Sequence, residues 1–154
     1  MTAAIALGSN LGDRRAHLDF AISKLGRLLA DLKASRYYET DPFGVSVAQP
    51  RFLNAAAVGD AAITPRELLD ALLAIEHARD RQRPHVNAPR TLDLDLVLFG
   101  DAVIDEPGLV VPHPRFRERR FVLEPLAEIA GELRDPVTSL TVAELLQRRG
   151  GPAG

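Results

Sequence analysis

The chain has 154 residues, 46% of them hydrophobic and 26% charged, a composition that fits one soluble globular domain. Its formal net charge of −2 argues against a protein that binds nucleic acid through a strongly basic surface, and the lack of cysteine excludes disulfides, thiolate catalysis and a cysteine-based zinc site. The first ten residues lack the charged start of a signal peptide, and no apolar run approaches the about 20 residues needed to cross a bilayer, so we expect a cytoplasmic protein.

Apolar periodicity predicts strands and helices along the whole chain. Two helix starts are well defined, because Thr64 and Thr141 are each followed three residues later by a glutamate, the pattern of a capping box. In chain order, the predicted elements are a strand at 2–7, a helix at 13–29, strands at 32–38 and 52–58, a helix at 64–79, a strand at 91–99, a hairpin at 103–111, helical segments at 115–118 and 121–130, and a short helix capped by Thr141.

The order strand, helix, strand, strand, helix, strand predicts an α+β protein with a ferredoxin-like βαββαβ core. Its sheet is expected to be mainly antiparallel, with the two helices on one face and further helices added at the C-terminus. No linker is long enough to divide the chain, so we expect a single domain over residues 1–149 and a disordered tail over residues 150–154.

The segment RTLDLDLVLFG, residues 90–100, is predicted to be a strand although it carries two aspartates in an apolar run. Because successive side chains of a strand point to opposite faces, Asp93 and Asp95 should share one face, which would look away from the helices. Two carboxylates about 7 Å apart along the chain suit Mg²⁺, whereas the alternative is a polar, solvated sheet face. The opposite face should pack on the helices through four leucines, Leu92, Leu94, Leu96 and Leu98.

Arginine provides 17 of the 19 basic residues, and eight arginines fall in two short segments. Because guanidinium binds phosphate with paired hydrogen bonds, these segments are candidates for phosphate binding, and solvated loops are the equal alternative. The second segment also holds His113 between two prolines, whereas His17, His77 and His85 are interpreted as ordinary surface or helix residues. The turn GSNLGDRR, residues 8–15, is not a phosphate-binding loop and is interpreted as a strand-to-helix turn. The eight arginines are Arg79, Arg81, Arg83, Arg90, Arg115, Arg117, Arg119 and Arg120.

The block PRTLDLD, followed some twenty residues later by VPH, is a specific signal when combined with ALGSNLGDR, YETDPFG, RFLNAA and the continuation RFRERRFVLEPL. Together these blocks, over residues 4–133, resemble the 6-hydroxymethyl-7,8-dihydropterin pyrophosphokinase family. The resemblance implies an α+β enzyme of folate biosynthesis that transfers the terminal pyrophosphoryl group of ATP to the pterin hydroxymethyl group and releases AMP. It implies two Mg²⁺ ions, ATP as co-substrate, no nucleic acid or membrane partner, and a monomer.

The resemblance also implies which residues form the site. Both Mg²⁺ ions would be ligated by Asp93 and Asp95, and Arg81 and Arg90 would act with them in catalysis. ATP would be bound by Glu76, Arg83, Leu96, His113 and Arg119, the leucine through its backbone. The pterin would contact Thr40, Phe43, Phe52, Asn54 and Phe121, with its ring between Phe52 and Phe121.

The chain departs from the family pattern at four places, and these put the ATP affinity and the turnover in question. The loop residues 85–88 lack the usual aromatic and one arginine, Asp80 replaces a glycine, Pro114 replaces a tyrosine, and Leu73 replaces a polar nucleotide contact.

Two other functions are compatible with parts of the sequence. One is an RNA-binding module that uses the sheet face, although the acidic pair, the negative charge and the 5% of aromatic residues argue against it. The other is an ATP-hydrolysing phosphatase, which the release of ADP in place of AMP would distinguish.

Overall fold

The structure is a computed structural model, and it describes residues 1–40, 51–80 and 91–150. In chain order the elements are β1 (Thr2–Ser9), α1 (Arg14–Leu28), β2 (Leu29–Ala34), β3 (Tyr38–Thr40), β4 (Phe52–Ala61), α2 (Pro65–Asp80), β5 (Asp93–Phe99), β6 (Ile104–Glu106), β7 (Leu109–Val111), a 3-10 helix (Phe116–Glu118), α3 (Arg120–Ala130) and α4 (Val142–Gly150).

The main sheet has the strand order β2-β4-β1-β5, and every pair in it is antiparallel. The short strand β3 pairs with the start of β4, and β6 and β7 form a separate hairpin. The chain runs from β1 through α1 to β2, and then from β4 through α2 to β5. The first and last strands of this series, β1 and β5, lie side by side in the sheet. This is the predicted ferredoxin-like βαββαβ core, with β5 at one edge of the sheet.

Both predicted capping boxes are present. The Thr64 N–H donates to Glu67 Oε1 at 2.9 Å, and the Glu67 N–H donates back to Thr64 Oγ1 at 3.1 Å. Thr141 and Glu144 make the same reciprocal pair at 2.9 and 3.1 Å. Each pair satisfies two backbone donors that the first turn of a helix would leave free, which explains why α2 and α4 begin there.

The sheet is covered on both faces. Helices α1 and α2 pack on one face and bury alternate residues of the strands, such as Ile5, Ala57 and Leu96. Helices α3 and α4 pack on the opposite face, but they cover only one half of it, where Val58 and Leu98 are buried. The other half of this face carries the two aspartates.

The prediction that Leu98 shares a face with the other leucines of β5 is wrong. The pairing with β1 shifts register between Ala4 and Ile5, which leaves Val97 as an extra residue on β5. Val97 and Leu98 therefore both pack with α3 and α4, whereas Leu96 packs under α1 and α2. A β-bulge inserts one residue and reverses the alternation beyond it, and nothing in an apolar run marks its position.

The segment predicted as one strand at 32–38 forms two, β2 and β3, and β2 begins at Leu29, which the sequence placed at the end of the helix. Leu29 is extended and pairs with Ala61, so β-pairing takes over the last residue of the helical pattern. Helix α4 extends to Gly150, and the rest of the predicted tail lies outside the described residues. No described helix is long and apolar enough to span a membrane.

Candidate active site

The open half of the sheet face carries two rows of side chains that cross the strands. In the first row, Asp93 of β5 lies opposite Gly8 of β1, Gly8 lies opposite Asn54 of β4, and Asn54 lies opposite Tyr38 of β3. In the second row, Asp95 lies opposite Ala6. Directly paired residues project from the same face, so the predicted common face of the two aspartates also carries Asn54.

The two carboxylates lie in surroundings that keep them hydrated. Asp93 is exposed and Asp95 is half-buried, and their cross-strand neighbours Gly8 and Ala6 are the two smallest residues. Small neighbours leave space above the strand in which both carboxylates can reach a common point. The face is therefore polar and open at this end, and the repulsion between the carboxylates favours a bound cation.

Asn54 is fixed in one orientation beside this space. It is 4% exposed, and its Nδ2 donates to Thr40 Oγ1 at 2.7 Å. A Cβ added at Gly8 would lie 3.3 Å from Asn54 Oδ1, so the amide oxygen points over β1 toward the row of Asp93. The sequence placed Gly8 only in a turn, but Gly8 lies within β1, where the absence of a side chain leaves room for Asn54 Oδ1.

Phe52 lies two residues before Asn54 on β4 and pairs with Thr40, so all three share the face of the aspartates. Phe121 lies in the first turn of α3, which packs on β4 from this side, and it is 38% exposed. An exposed phenylalanine at the border of an open polar face is available to stack on a ligand.

Glu76 is buried rather than solvated. It lies on α2, is 6% exposed, and its Oε2 accepts a hydrogen bond from the Leu94 N–H at 2.7 Å. Because β5 is an edge strand, this N–H points away from the sheet and would otherwise have no strand partner. Glu76 thus holds β5 at the residue between the two aspartates. Leu96 follows Leu94 by two residues on the same strand, so the N–H and C=O of Leu96 point toward the same edge of the sheet.

His113 lies beside Asp95 and is held through its backbone and its ring. Its N–H donates to the Val97 C=O at 3.0 Å, and its Nδ1 accepts from the Arg115 N–H at 3.1 Å. Burial lowers the pKa of His113, the nearby Asp95 carboxylate raises it, and Arg119 and Arg115 lower it further, with a net shift below the ordinary value. The ring is therefore neutral at pH 7, and because Nδ1 accepts, Nε2 carries the proton and can donate it in a hydrogen bond.

The four arginines of residues 115–120 have different surroundings. Arg117 pairs with Asp135, and Arg120 lies 3.6 Å from Glu124 in an exposed pair. Within the described part of the chain neither Arg115 nor Arg119 is in an ion pair, and both act on His113. Arg119 also lies over the Phe121 ring, with 5.7 Å from its guanidinium carbon to the ring centroid. The different roles of these four arginines could not be predicted from the sequence, because Asp135, the partner of Arg117, lies in the turn between α3 and α4.

The end of β1 and the first half of α1 contact residues that follow and precede the segment 81–90 in the sequence. Ser9 Oγ donates to the Thr91 C=O at 2.5 Å, and both residues are buried. On α1, His17 Nδ1 accepts from Arg79 Nε at 3.0 Å. His17 lies on a helix, as one of its two interpretations has it, but it is 3% exposed and contacts Arg79 from a second helix, so it is not a surface residue.

We expect the His17 contact to make stability depend on pH. Burial first, and then the charge of Arg79, lower the pKa of His17 below its ordinary value of 6.5. Unfolding therefore takes up a proton between the two pKa values, so the stabilising contribution is complete above about pH 6.5 and is lost as the pH falls.

The measurement is the free energy of unfolding in urea from pH 7.5 to 5.5. His17→Gln should show a smaller loss than the wild type, and the exposed-site control His77→Gln should match the wild type. Equal slopes in wild type and His17→Gln would contradict the assignment.

Four predicted site residues, Phe43, Arg81, Arg83 and Arg90, lie outside the described residues. The structure brings the others to one half of one sheet face and its adjoining edge.

Within residues 1–40, 51–80 and 91–150, no three His, Cys, Asp or Glu side chains cluster as a complete metal site. Two carboxylates on an open face still fit Mg²⁺, which accepts one or two protein carboxylates and takes its remaining ligands from water and substrate phosphates.

Comparison with known proteins identifies the family of the chain. Residues 4–131 match the family model described as 7,8-dihydro-6-hydroxymethylpterin-pyrophosphokinase (HPPK). A 2-amino-4-hydroxy-6-hydroxymethyldihydropteridine pyrophosphokinase of Pseudomonas aeruginosa is 45% identical over 134 residues, covering 86% of this chain and 82% of the relative. The enzyme of the same name from Bacillus subtilis is 45% identical over 139 residues, covering 89% and 83%.

A solved structure supports the fold. The wild-type HPPK-DHPS of Plasmodium falciparum superposes with a TM-score of 0.76 at 15% sequence identity, covering 96% of this chain and 44% of that chain. At this identity the similarity shows the fold alone. Less than half of the longer chain corresponds to the sheet and helices described above.

Proposed function

The chain belongs to the 7,8-dihydro-6-hydroxymethylpterin-pyrophosphokinase family, and we propose that its reaction takes place on the open half of the sheet, beside Asp93 and Asp95. Enzymes of this family transfer pyrophosphate from ATP to hydroxymethyldihydropterin in folate biosynthesis, and this chain is such a transferase. We further propose that it acts as a cytoplasmic monomer and that residues 1–149 form a single domain.

One observation carries the proposed location. Asp93, Gly8 and Asn54 form one row across adjacent strands, so the proposed metal ligand and the proposed pterin ligand share a face. Neighbouring strands are about 4.8 Å apart, which places the Cα atoms of Asp93 and Asn54 about 10 Å apart with only a glycine between them. A pterin beside Asn54 would therefore present its hydroxymethyl group to phosphates held beside Asp93.

We propose that two Mg²⁺ ions bind at Asp93 and Asp95 together with the triphosphate. When bound, Mg²⁺ neutralises negative charge on the phosphate oxygens and fixes their geometry, the main requirement of phosphoryl-type transfer. The chain contributes two carboxylates held on one face by β-pairing and fixed at the intervening Leu94 by Glu76.

ATP would extend from these carboxylates along the edge of β5. The neutral His113 ring would donate its Nε2–H to a phosphate oxygen, and Arg119, which faces the same ring, would bind phosphate through its guanidinium. The adenine would pair with the outward N–H and C=O of Leu96. We propose that Arg81 and Arg90 act on the transferred group, that Arg83 contacts ATP, and that Glu76 supports the nucleotide side through β5.

The pterin would lie on the opposite side of the same space. Its ring would stack between Phe52 and Phe121, and the Asn54 amide, fixed by Thr40, would pair with its ring donors and acceptors. Phe43 would complete this pocket. Water exclusion by stacking would favour transfer to the pterin alcohol over hydrolysis.

The proposed reaction is tested by leaving out one component at a time. Purified protein would be mixed with ATP, Mg²⁺ and 6-hydroxymethyl-7,8-dihydropterin, and AMP would be followed by chromatography. AMP should form only when all three are present, and EDTA should stop it. Release of ADP would show that a single phosphoryl group is transferred in place of pyrophosphate, and AMP formation without pterin would show that the acceptor is a different molecule.

We expect Gly8→Ala to weaken pterin binding. The new Cβ would lie 3.3 Å from Asn54 Oδ1, so the amide must move from its Thr40-bound position. Crowding of this kind costs about 1–3 kcal/mol, and we expect the KM for pterin to rise about tenfold while the KM for ATP stays near the wild-type value. Gly26→Ala is the matched control, because its Cβ would meet only Leu32 Cδ2 at 3.9 Å. An unchanged KM for pterin in Gly8→Ala would contradict the proposed pterin position.

We expect Glu76→Ala to reduce both stability and turnover. It leaves the Leu94 N–H without its acceptor at a buried position, which costs about 1–3 kcal/mol, and it frees β5 between the two aspartates. Glu76→Gln keeps an acceptor oxygen and should restore most of the stability and kcat. Urea unfolding and steady-state kinetics measure the two effects. A Gln variant as impaired as the Ala variant would show that the carboxylate charge, and not the hydrogen bond, is what the site requires.

A further inference from the structure

The turn between α3 and α4 contains a fully buried carboxylate. Asp135 is 0% exposed, and its side chain accepts hydrogen bonds from the Val137 N–H at 3.0 Å and from Thr138 Oγ1 at 2.7 Å. Arg117 adds two more, from Nε at 2.5 Å and from the terminal guanidinium nitrogen at 3.0 Å. Four hydrogen bonds to one carboxylate leave it fully partnered, so Arg117 is held in one orientation.

Arg117 belongs to the 3-10 helix that lies between His113 and Arg119. The residue before it, Phe116, is fully buried in the core beneath α3 and α4. The guanidinium of Arg117 is directed to Asp135 and is not available to a phosphate. In this segment His113 and Arg119 face the site. Phe116 and Arg117, which lie between them, anchor the segment to the core and to Asp135.

The same segment is fixed to the sheet at its other end. The His113 N–H donates to the C=O of Val97, two residues beyond Asp95 on β5. A continuous series of contacts therefore runs from Asp135 through Arg117 and the 3-10 helix to His113 and then to β5. Helix α3 is held separately, since Glu128 accepts from the Tyr38 hydroxyl at 2.6 Å and from the Arg36 N–H at 3.1 Å.

We propose that the Arg117–Asp135 pair is a positioning device for the nucleotide side of the site, which fixes His113 and Arg119 at the distance from Asp95 that phosphate binding requires. This inference rests on the proposed function. Because the pterin-binding residues of β3 and β4 are fixed by the sheet, and Phe121 by the packing of α3, the pair should affect ATP more than pterin. Arg117 and Asp135 are positioning residues and touch no substrate.

The test uses a double variant that should fold. Arg117→Met combined with Asp135→Asn removes both charges together, and the new amide can still accept from the Val137 N–H and donate to Thr138 Oγ1, so no buried charge is left without its partner. We expect its KM for ATP to rise roughly tenfold or more and kcat to fall, because small displacements of binding groups have large kinetic effects, while the KM for pterin changes less than twofold. Thr138→Val is the matched control: it removes the hydrogen bond to Asp135 and the one that Thr138 Oγ1 accepts from the Leu140 N–H, but leaves Arg117 paired, so both KM values should stay near wild type.

A second measurement does not depend on activity. The chain has four histidines, so the ring signals can be resolved by NMR and that of His113 assigned by substitution. The His113 signal should move in the double variant and stay in place in Thr138→Val. Wild-type kinetics and a wild-type His113 signal in the folded double variant would show that the pair is only structural and would overturn the proposal. Wild-type protein that forms no AMP would instead refute the proposed function, and the NMR comparison would still decide the positioning role.

Discussion

Replacing Asp95 by Asn is expected to reduce kcat for AMP formation roughly 10²–10³-fold or more while the protein remains folded. The substitution keeps the size of the side chain and removes the charge that would hold Mg²⁺ and the triphosphate, and electrostatic groups of this kind contribute several kcal/mol to a transition state. Asp95 is only half-buried and lies opposite Ala6, so the amide should be accommodated without strain. Steady-state kinetics at saturating ATP, pterin and Mg²⁺ measure the effect.

The matched control for this substitution is Asp101→Asn, which changes an exposed aspartate in the turn just after β5. It should leave kcat and the melting temperature unchanged. If Asp95→Asn instead kept wild-type turnover, the carboxylate would have no catalytic role. If it lost many degrees of thermal stability with little change in kcat, the polar sheet face would be a structural feature only.

The largest effect on stability is expected from Arg117→Ala. This substitution leaves Asp135 buried without its cationic partner, and breaking a buried pair in this way typically costs 3–5 kcal/mol, or a fall in Tm of roughly 6–20 °C for a chain of this size. Arg66→Ala is the comparison, because its bond to Glu106 at 3.1 Å joins two exposed side chains and should be worth less than about 1 kcal/mol. Calorimetry of both variants measures the difference, and equal Tm values would contradict the account of Asp135.

The pair also predicts how the effect depends on pH. Burial alone would raise the pKa of Asp135, but the hydrogen bonds from Arg117, Thr138 and the Val137 N–H hold it below its ordinary value of 3.8. Its stabilisation is therefore present above about pH 4 and is lost as the pH falls through the lower folded-state value. The difference in stability between wild type and Arg117→Ala should accordingly shrink in acid.

Local sequence patterns predicted much of the fold. The capping boxes at Thr64 and Thr141 depend on residues three apart, and both are present as expected. The shared face of Asp93 and Asp95 follows from strand geometry over three residues, before the bulge at Val97 reverses the alternation. Leu98 could not be placed correctly, because the bulge depends on how β5 pairs with β1 and not on the composition of β5.

The features of the site that the sequence missed all depend on distant contacts. The resemblance assigned Glu76 to ATP, but the hydrogen bond that its carboxylate accepts from the Leu94 N–H joins two different elements. Gly8 was interpreted as part of a turn, and its effect on Asn54 appears only when β1 and β4 are paired. Arg117 could not be distinguished from its neighbours, since Asp135 lies 18 residues later. In each case one partner is informative only when the other has been placed.

The most direct test of the account is a ³¹P NMR spectrum of one reaction that contains the protein, Mg²⁺, ATP and 6-hydroxymethyl-7,8-dihydropterin. The ATP signals should decay as those of AMP and a pyrophosphate ester of the pterin grow at equal rates, and with Asp95→Asn both products should form at least about 10²-fold more slowly. Growth of ADP and inorganic phosphate, or equal product formation by wild type and Asp95→Asn, would contradict the assignment of pyrophosphoryl transfer to this sheet face.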